Sequence, residues 1–129
     1  MEKSGWEDMG SHYIVELLSC DAEKLKWVAL IKRILQNAIS LSKAQVLGEV
    51  FHQFEPFGVT GVIVIGESHV ALHTWPEYNY CAFDFYSCSK NFEVEKTINY
   101  VAKELKAKDV QISRHPRGFF SRNIKEKFK

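Results

Sequence analysis

Residues 69–88 read HVALHTW-PEYN-YCAFDFYSC. Two runs of alternating apolar and polar residues flank four residues that punctuate them. Successive side chains of a strand point to opposite faces, so each run describes a strand with one face on a core. Pro76 cannot continue the first ladder, and Asn79 tolerates the backbone conformation a tight turn needs. The stretch therefore predicts a β-hairpin, and hairpins pair antiparallel. Closing near Glu77–Tyr78 sets Trp75 opposite Tyr80, His73 opposite Ala82, Ala71 opposite Asp84 and His69 opposite Tyr86. Continuing the register returns Cys88 to Glu67 and Ser68.

The remaining segments fit around this hairpin. HYIVELL reads as a first strand. Asp21 offers an N-cap to an amphipathic helix over 22–39, whose stripe is Leu25, Val28, Ile31, Leu35 and Ala38. KAQVLGEVFHQF reads as a strand, EPFG as a turn, and VTGVIVI as an apolar strand placed centrally. Asn91 is positioned to cap a second helix carrying Val94, Ile98, Val101 and Leu105 on one side. DVQIS closes the series as a strand. Two amphipathic helices can cover only one face of such a sheet. The fold expected is α+β: a two-layer α/β sandwich, an antiparallel sheet with two helices on one face. If the uncovered face is apolar it calls for a partner, and a homodimer would supply one.

The chain has 129 residues, enough for a single domain, with polar ends at 1–10 and 118–129 expected to be loosely ordered. A net charge of +1 favours neither nucleic acid nor an anionic membrane surface as partner. No apolar run approaches the roughly 20 residues of a membrane span. The three cysteines, Cys20, Cys81 and Cys88, are odd in number and widely spaced. They suggest reduced thiols and a cytoplasmic location.

The chemistry concentrates at GESHV, where Ser68 stands between Glu67 and His69, with His73 five residues on. On a regular strand Ser68 and His73 have opposite parity. Their cooperation would require Ser68 to lie in a turn or bulge, for which Gly66 provides the freedom. A metal centre through His69, His73, Cys81 and Cys88 has no supporting ligand spacing, so no metal is expected. A serine hydrolase would need the final glycine of G-x-S-x-G, which is missing. By ordinary occurrence Ser68 is a turn residue, Cys88 a small hydrophobe, Phe54 a packing residue and Glu77 a solvated carboxylate. His12, His52, His69 and His115 read as structural histidines.

ESHVALHTWPEYNYCAFDFYSC resembles the signature of S-adenosylmethionine decarboxylase proenzymes of the short prokaryotic kind. FHQFEPFGVTGVIVIGESH and SHYIVELLSCD extend the likeness over roughly residues 11–117. The resemblance implies a chain that makes its own cofactor. The Ser68 hydroxyl attacks the carbonyl of Glu67, the resulting ester breaks by β-elimination, and the former Ser68 becomes a pyruvoyl group at a new N-terminus. In that family the pyruvoyl carbonyl forms a Schiff base with the substrate amine and accepts electrons as carbon dioxide leaves. The matching residues are His73 for the α-proton of Ser68 during cleavage and Cys88 as proton donor in decarboxylation. Phe54 and His73 match the adenine-stacking pair, and Glu77 the carboxylate on the ribose. Thr60 stands where the family has a serine that assists processing; it keeps the hydroxyl and adds a methyl group.

The implied substrate is S-adenosylmethionine, its product serving spermidine biosynthesis, and the implied assembly is a homodimer of cleaved protomers with pocket residues from both. Two alternatives stay open. The same machinery could decarboxylate another amino acid such as ornithine or arginine. A non-catalytic homologue could act as a binding or regulatory subunit.

Overall fold

The computed structural model describes residues 6–7, 9–66, 68–88, 93–118 and 120–121. Glu67, the residue before the proposed cleavage point, and Asn91, the expected cap, lie outside the described residues. In chain order the strands are β1 (Trp6–Glu7), β2 (Gly10–Leu18), β3 (Val46–Gln53), β4 (Val59–Ile65), β5 (Ser68–Trp75), β6 (Tyr80–Ser87), β7 (Asp109–Arg117) and β8 (Phe120–Ser121). The helices are α1 (Val28–Ser42) and α2 (Val94–Glu104). Strands β2 to β7 form one antiparallel six-stranded sheet in the order β3-β4-β5-β6-β2-β7, while β1 and β8 pair separately. The α+β sandwich expected from the sequence is the fold observed.

Strict alternation places the core. On β4, β5 and β6 every second side chain is buried: Val59, Ile63 and Ile65; Val70 and Leu72; Cys81, Phe83 and Phe85. Ile31, Ile34, Leu35, Ala38 and Ile39 of α1 pack onto them, with Ile98 and Val101 of α2. The intervening residues of the strands form a face that carries neither helix.

Two sequence expectations are corrected. The helix expected over 22–39 is split into a 3-10 turn at Ala22–Leu25 and α1 from Val28. Trp27 between them is extended (φ −119°, ψ 140°). The side chain of Gln53 holds the break: its Oε1 accepts from Val28 N–H at 2.7 Å, and its Nε2 donates to Lys26 O at 2.9 Å and Gly58 O at 3.0 Å. Asp21 does cap, through Glu23 N–H, but it caps the short turn. The apolar strand β4 is not central; β5 and β6 are, and β4 is second from the edge. Its apolar character reflects valines on the open face as well as the core, Val64 being 47% exposed.

Burial raises three ionisable groups. The Cys20 thiol is pushed from 9.0 to about 11 and the wholly buried Cys81 thiol well above 9.0, both chiefly by loss of water. Tyr80 rises from 10.0 to about 12 through burial and its hydrogen bond to the Glu16 carboxylate. The folded chain therefore holds these protons more tightly than the unfolded one. That stability is complete below pH 9 and is lost as pH rises from 9.0 through 11 towards 12. Thermal midpoints measured from pH 8 upward should fall above about pH 9, and Cys81→Ala should flatten the decline.

Candidate functional site

The chemistry-bearing residues lie on the helix-free face of the sheet and at the sheet's two ends. The hairpin register read from sequence is the one observed, Trp75 against Tyr80, His73 against Ala82, Ala71 against Asp84 and His69 against Tyr86. It is held by a 3-10 turn at Pro76–Tyr78, with Asn79 in the left-handed region (φ 53°) donating its backbone N–H to Pro76 O.

One end gathers Phe54, Thr60, His73 and Glu77. Thr60 and His73 are cross-strand partners, and Thr60 Oγ1 lies 3.1 Å from His73 Nδ1. Phe54 follows β3 directly, is 47% exposed, and packs edge-on against His52. Glu77 is exposed in the turn after Trp75. Trp75 leans on His73 and stacks on Tyr80 with ring centroids 5.4 Å apart.

The other end gathers Ser68 and Cys88. Ser68 opens β5 opposite Ser87, so Cys88 arrives beside the start of β5. Gly10 of β2 presses on this corner: a Cβ there would sit 2.8 Å from Ser87 O and 3.2 Å from Cys88 Cβ. Only glycine permits that approach without displacing the Cys88 backbone. Ser68 Oγ is 3.3 Å from His69 Nδ1.

The ends do not meet within one chain. Ser68 was expected in a turn or bulge if it was to work with His73. It is instead the first paired residue of a regular strand. Five residues of strand separate it from His73, about 17 Å at the strand rise, and the two have opposite parity.

Between the ends lies a cluster that sequence reading passed over. His12 Nε2 is 2.9 Å from Asp84 Oδ2, and His69 Nε2 approaches the same oxygen at 3.9 Å. One donor atom from each of the three residues lies within 4.8 Å of the others. His69 and Asp84 were readable as diagonal neighbours from the hairpin register. His12 was not, because it joins through pairing of β2 with β6, 72 residues apart in sequence at this contact.

An antiparallel sandwich with a serine hydroxyl, an imidazole and a thiol gathered at one end of its sheet defines a class of chain in which a serine flanked by such groups begins a strand. Comparison with known proteins narrows the class. The family description of S-adenosylmethionine decarboxylase matches residues 11–118. A Thermotoga petrophila protein called S-adenosylmethionine decarboxylase proenzyme is 41% identical over 112 residues, 87% of this chain and 86% of the relative. A proenzyme of the same name from Thermococcus onnurineus is 38% identical over 87% of this chain and 79% of its own. The crystal structure of the adenosylmethionine decarboxylase from Aquifex aeolicus superposes with a TM-score of 0.83 at 28% identity, covering 90% of this chain and 96% of that one. The chain belongs to the S-adenosylmethionine decarboxylase family.

Proposed function

We propose that this chain is a self-cleaving decarboxylase that converts S-adenosylmethionine to its decarboxylated form for spermidine synthesis. The observation that carries the reading is Ser68 at the head of β5, with a ring nitrogen at 3.3 Å and Cys88 returned to the same corner by the β5–β6 register. That corner fits a pyruvoyl group, since the hydroxyl, a neighbouring base and a thiol are what its formation and use require. When present, such a group supplies an electron sink for loss of carbon dioxide from an amino acid. Cleavage between Glu67 and Ser68 begins when the Ser68 hydroxyl attacks the preceding carbonyl. Cys88 returns a proton to the substrate's α-carbon, and Phe54, His73 and Glu77 hold its adenosine.

A second copy of the chain completes the site in this reading. Ser68 and Cys88 occupy one end of the sheet, and Phe54, Thr60, His73 and Glu77 the other. Two copies laid face to face about a two-fold axis would bring one end of each onto the other end of its partner. The face suits such a contact: Val50, Val64, Trp75 and Ile14 are exposed on it by 72%, 47%, 40% and 39%. His73 would then take the α-proton of the partner's serine, with Thr60 fixing its ring through the 3.1 Å contact. Among the described residues no helix is long and apolar enough to cross a membrane; we place the enzyme in the cytoplasm, on a small-molecule substrate.

Intact mass under denaturing conditions tests the reading. The wild type should give two fragments split between Glu67 and Ser68, the second lighter than a serine start requires and carrying a pyruvoyl end. Ser68→Ala should give a single whole chain. A wild type that stays whole after prolonged incubation would point to the non-catalytic alternative.

A further inference from the structure

The first step of the proposed cleavage needs a base for the Ser68 hydroxyl, and His73 is about five strand residues too far away in its own chain. We infer that His69 is that base, oriented by Asp84, which His12 anchors. The inference rests on the self-cleavage reading above and adds to it a division of labour: His69 of the same chain drives the acyl shift, and His73 serves the later elimination.

The geometry is a relay across three strands. Ser68 Oγ stands 3.3 Å from His69 Nδ1. The other ring nitrogen, Nε2, faces Asp84 Oδ2 at 3.9 Å. His12 Nε2 holds the same Asp84 oxygen at 2.9 Å. The His69 ring crosses edge-on to that of His12, with centroids 6.2 Å apart. Both histidines and the aspartate are partly buried, with side chains 24%, 40% and 26% exposed for His12, His69 and Asp84. With Nε2 turned toward the Asp84 carboxylate, the ring presents Nδ1 to the Ser68 hydroxyl. A purely structural role would not require the nitrogen remote from the carboxylate to point at the one hydroxyl that must react.

The step balances without a co-reactant. His69 Nδ1 takes the proton from Ser68 Oγ as Oγ bonds to the Glu67 carbonyl carbon. The Glu67–Ser68 carbon–nitrogen bond then breaks, and the imidazolium gives the proton to the departing nitrogen of Ser68. The products are an ester and an amine, and His69 is neutral again. His69 touches the reacting atom and is catalytic. Asp84 and His12 act through it and are positioning residues.

Hydroxylamine isolates this step, because it cuts an ester and spares an amide. In a His73→Ala background elimination is blocked and the ester is the trappable species. At saturating hydroxylamine, in EDTA so that no metal on the same three donors contributes, the rate of cutting reports the acyl shift. Fragments are read by mass. His69→Ala and His69→Gln, each combined with His73→Ala, should be cut about 100-fold more slowly, the low end of general-base effects. Added imidazole should restore the alanine variant. Glutamine keeps the size and polarity of the site, so its failure excludes a merely structural role and covers the case in which alanine misfolds. Asp84→Asn in the same background should slow cutting by about tenfold, less than loss of the base itself. Equal saturating rates with and without His69 would overturn the inference while leaving self-cleavage intact. A His73→Ala chain that hydroxylamine never cuts would overturn both, since no ester would then have formed at Ser68.

Discussion

Cys88→Ala should yield a chain that is still cut between Glu67 and Ser68 but releases carbon dioxide at least about 100-fold more slowly, the scale of a lost general acid. The expectation follows from where the thiol sits. β6 ends at Ser87, the partner of Ser68, so the next residue reaches the corner where the substrate's reacting carbon would lie. In the proposed cleavage the attack on the Glu67 carbonyl uses Ser68 and its neighbouring imidazole and has no need of a thiol. The variant should therefore separate the two reactions: normal fragment masses, with carbon dioxide release at saturating substrate nearly abolished. Retention of full decarboxylation would remove Cys88 from the mechanism. Gly10→Ala should act on the same corner indirectly. Its added carbon meets Ser87 O at 2.8 Å, so the backbone that delivers Cys88 must move.

The largest effect on stability is expected at the centre of the sheet. Phe83 is 1% exposed on β6, faces Leu72 and Val15 on the neighbouring strands, and packs on Phe85 with ring centroids 5.5 Å apart. Phe83→Ala removes a large apolar side chain and leaves a cavity that two helices and three strands cannot close without moving. The cost should be about 3–5 kcal/mol, a large part of the roughly 5–15 kcal/mol by which domains of this kind are stable. Urea unfolding in a Ser68→Ala background, at one protein concentration, keeps the chain whole and makes the comparison direct. A loss below about 1 kcal/mol would mean that the core is not packed as described.

What the sequence made legible was mostly local. The β5–β6 hairpin could be read residue by residue, because a period of two and a Pro–Asn turn leave few registers that keep Val70, Leu72, Phe83 and Phe85 on one side. The start of α1 could not. Leu25 and Val28 fit a helical stripe, but Gln53, far along the chain, takes the Val28 N–H and holds Trp27 extended. The His12–Asp84–His69 cluster was hidden for a related reason. A histidine on a first strand says nothing about which strand will lie beside it. The distance between Ser68 and His73, in contrast, was present in the sequence all along: five residues on one strand cannot bring two side chains together. Opposite parity was read as calling for a turn or bulge at Ser68; the regular strand leaves a second chain as the way to bring them together.

That separation makes one experiment decisive for a site built from two copies. Ser68→Ala and His73→Ala chains, each uncut by itself, are co-expressed with different tags and the mixed dimers are isolated. In such a dimer one site pairs an intact Ser68 with an intact His73 from the other chain, and the second site has neither. The chain carrying His73→Ala should be cut between Glu67 and Ser68, and the chain carrying Ser68→Ala should remain whole. If neither chain of the mixed dimer is cut, His73 does not act on its partner's serine and the two-copy site is wrong.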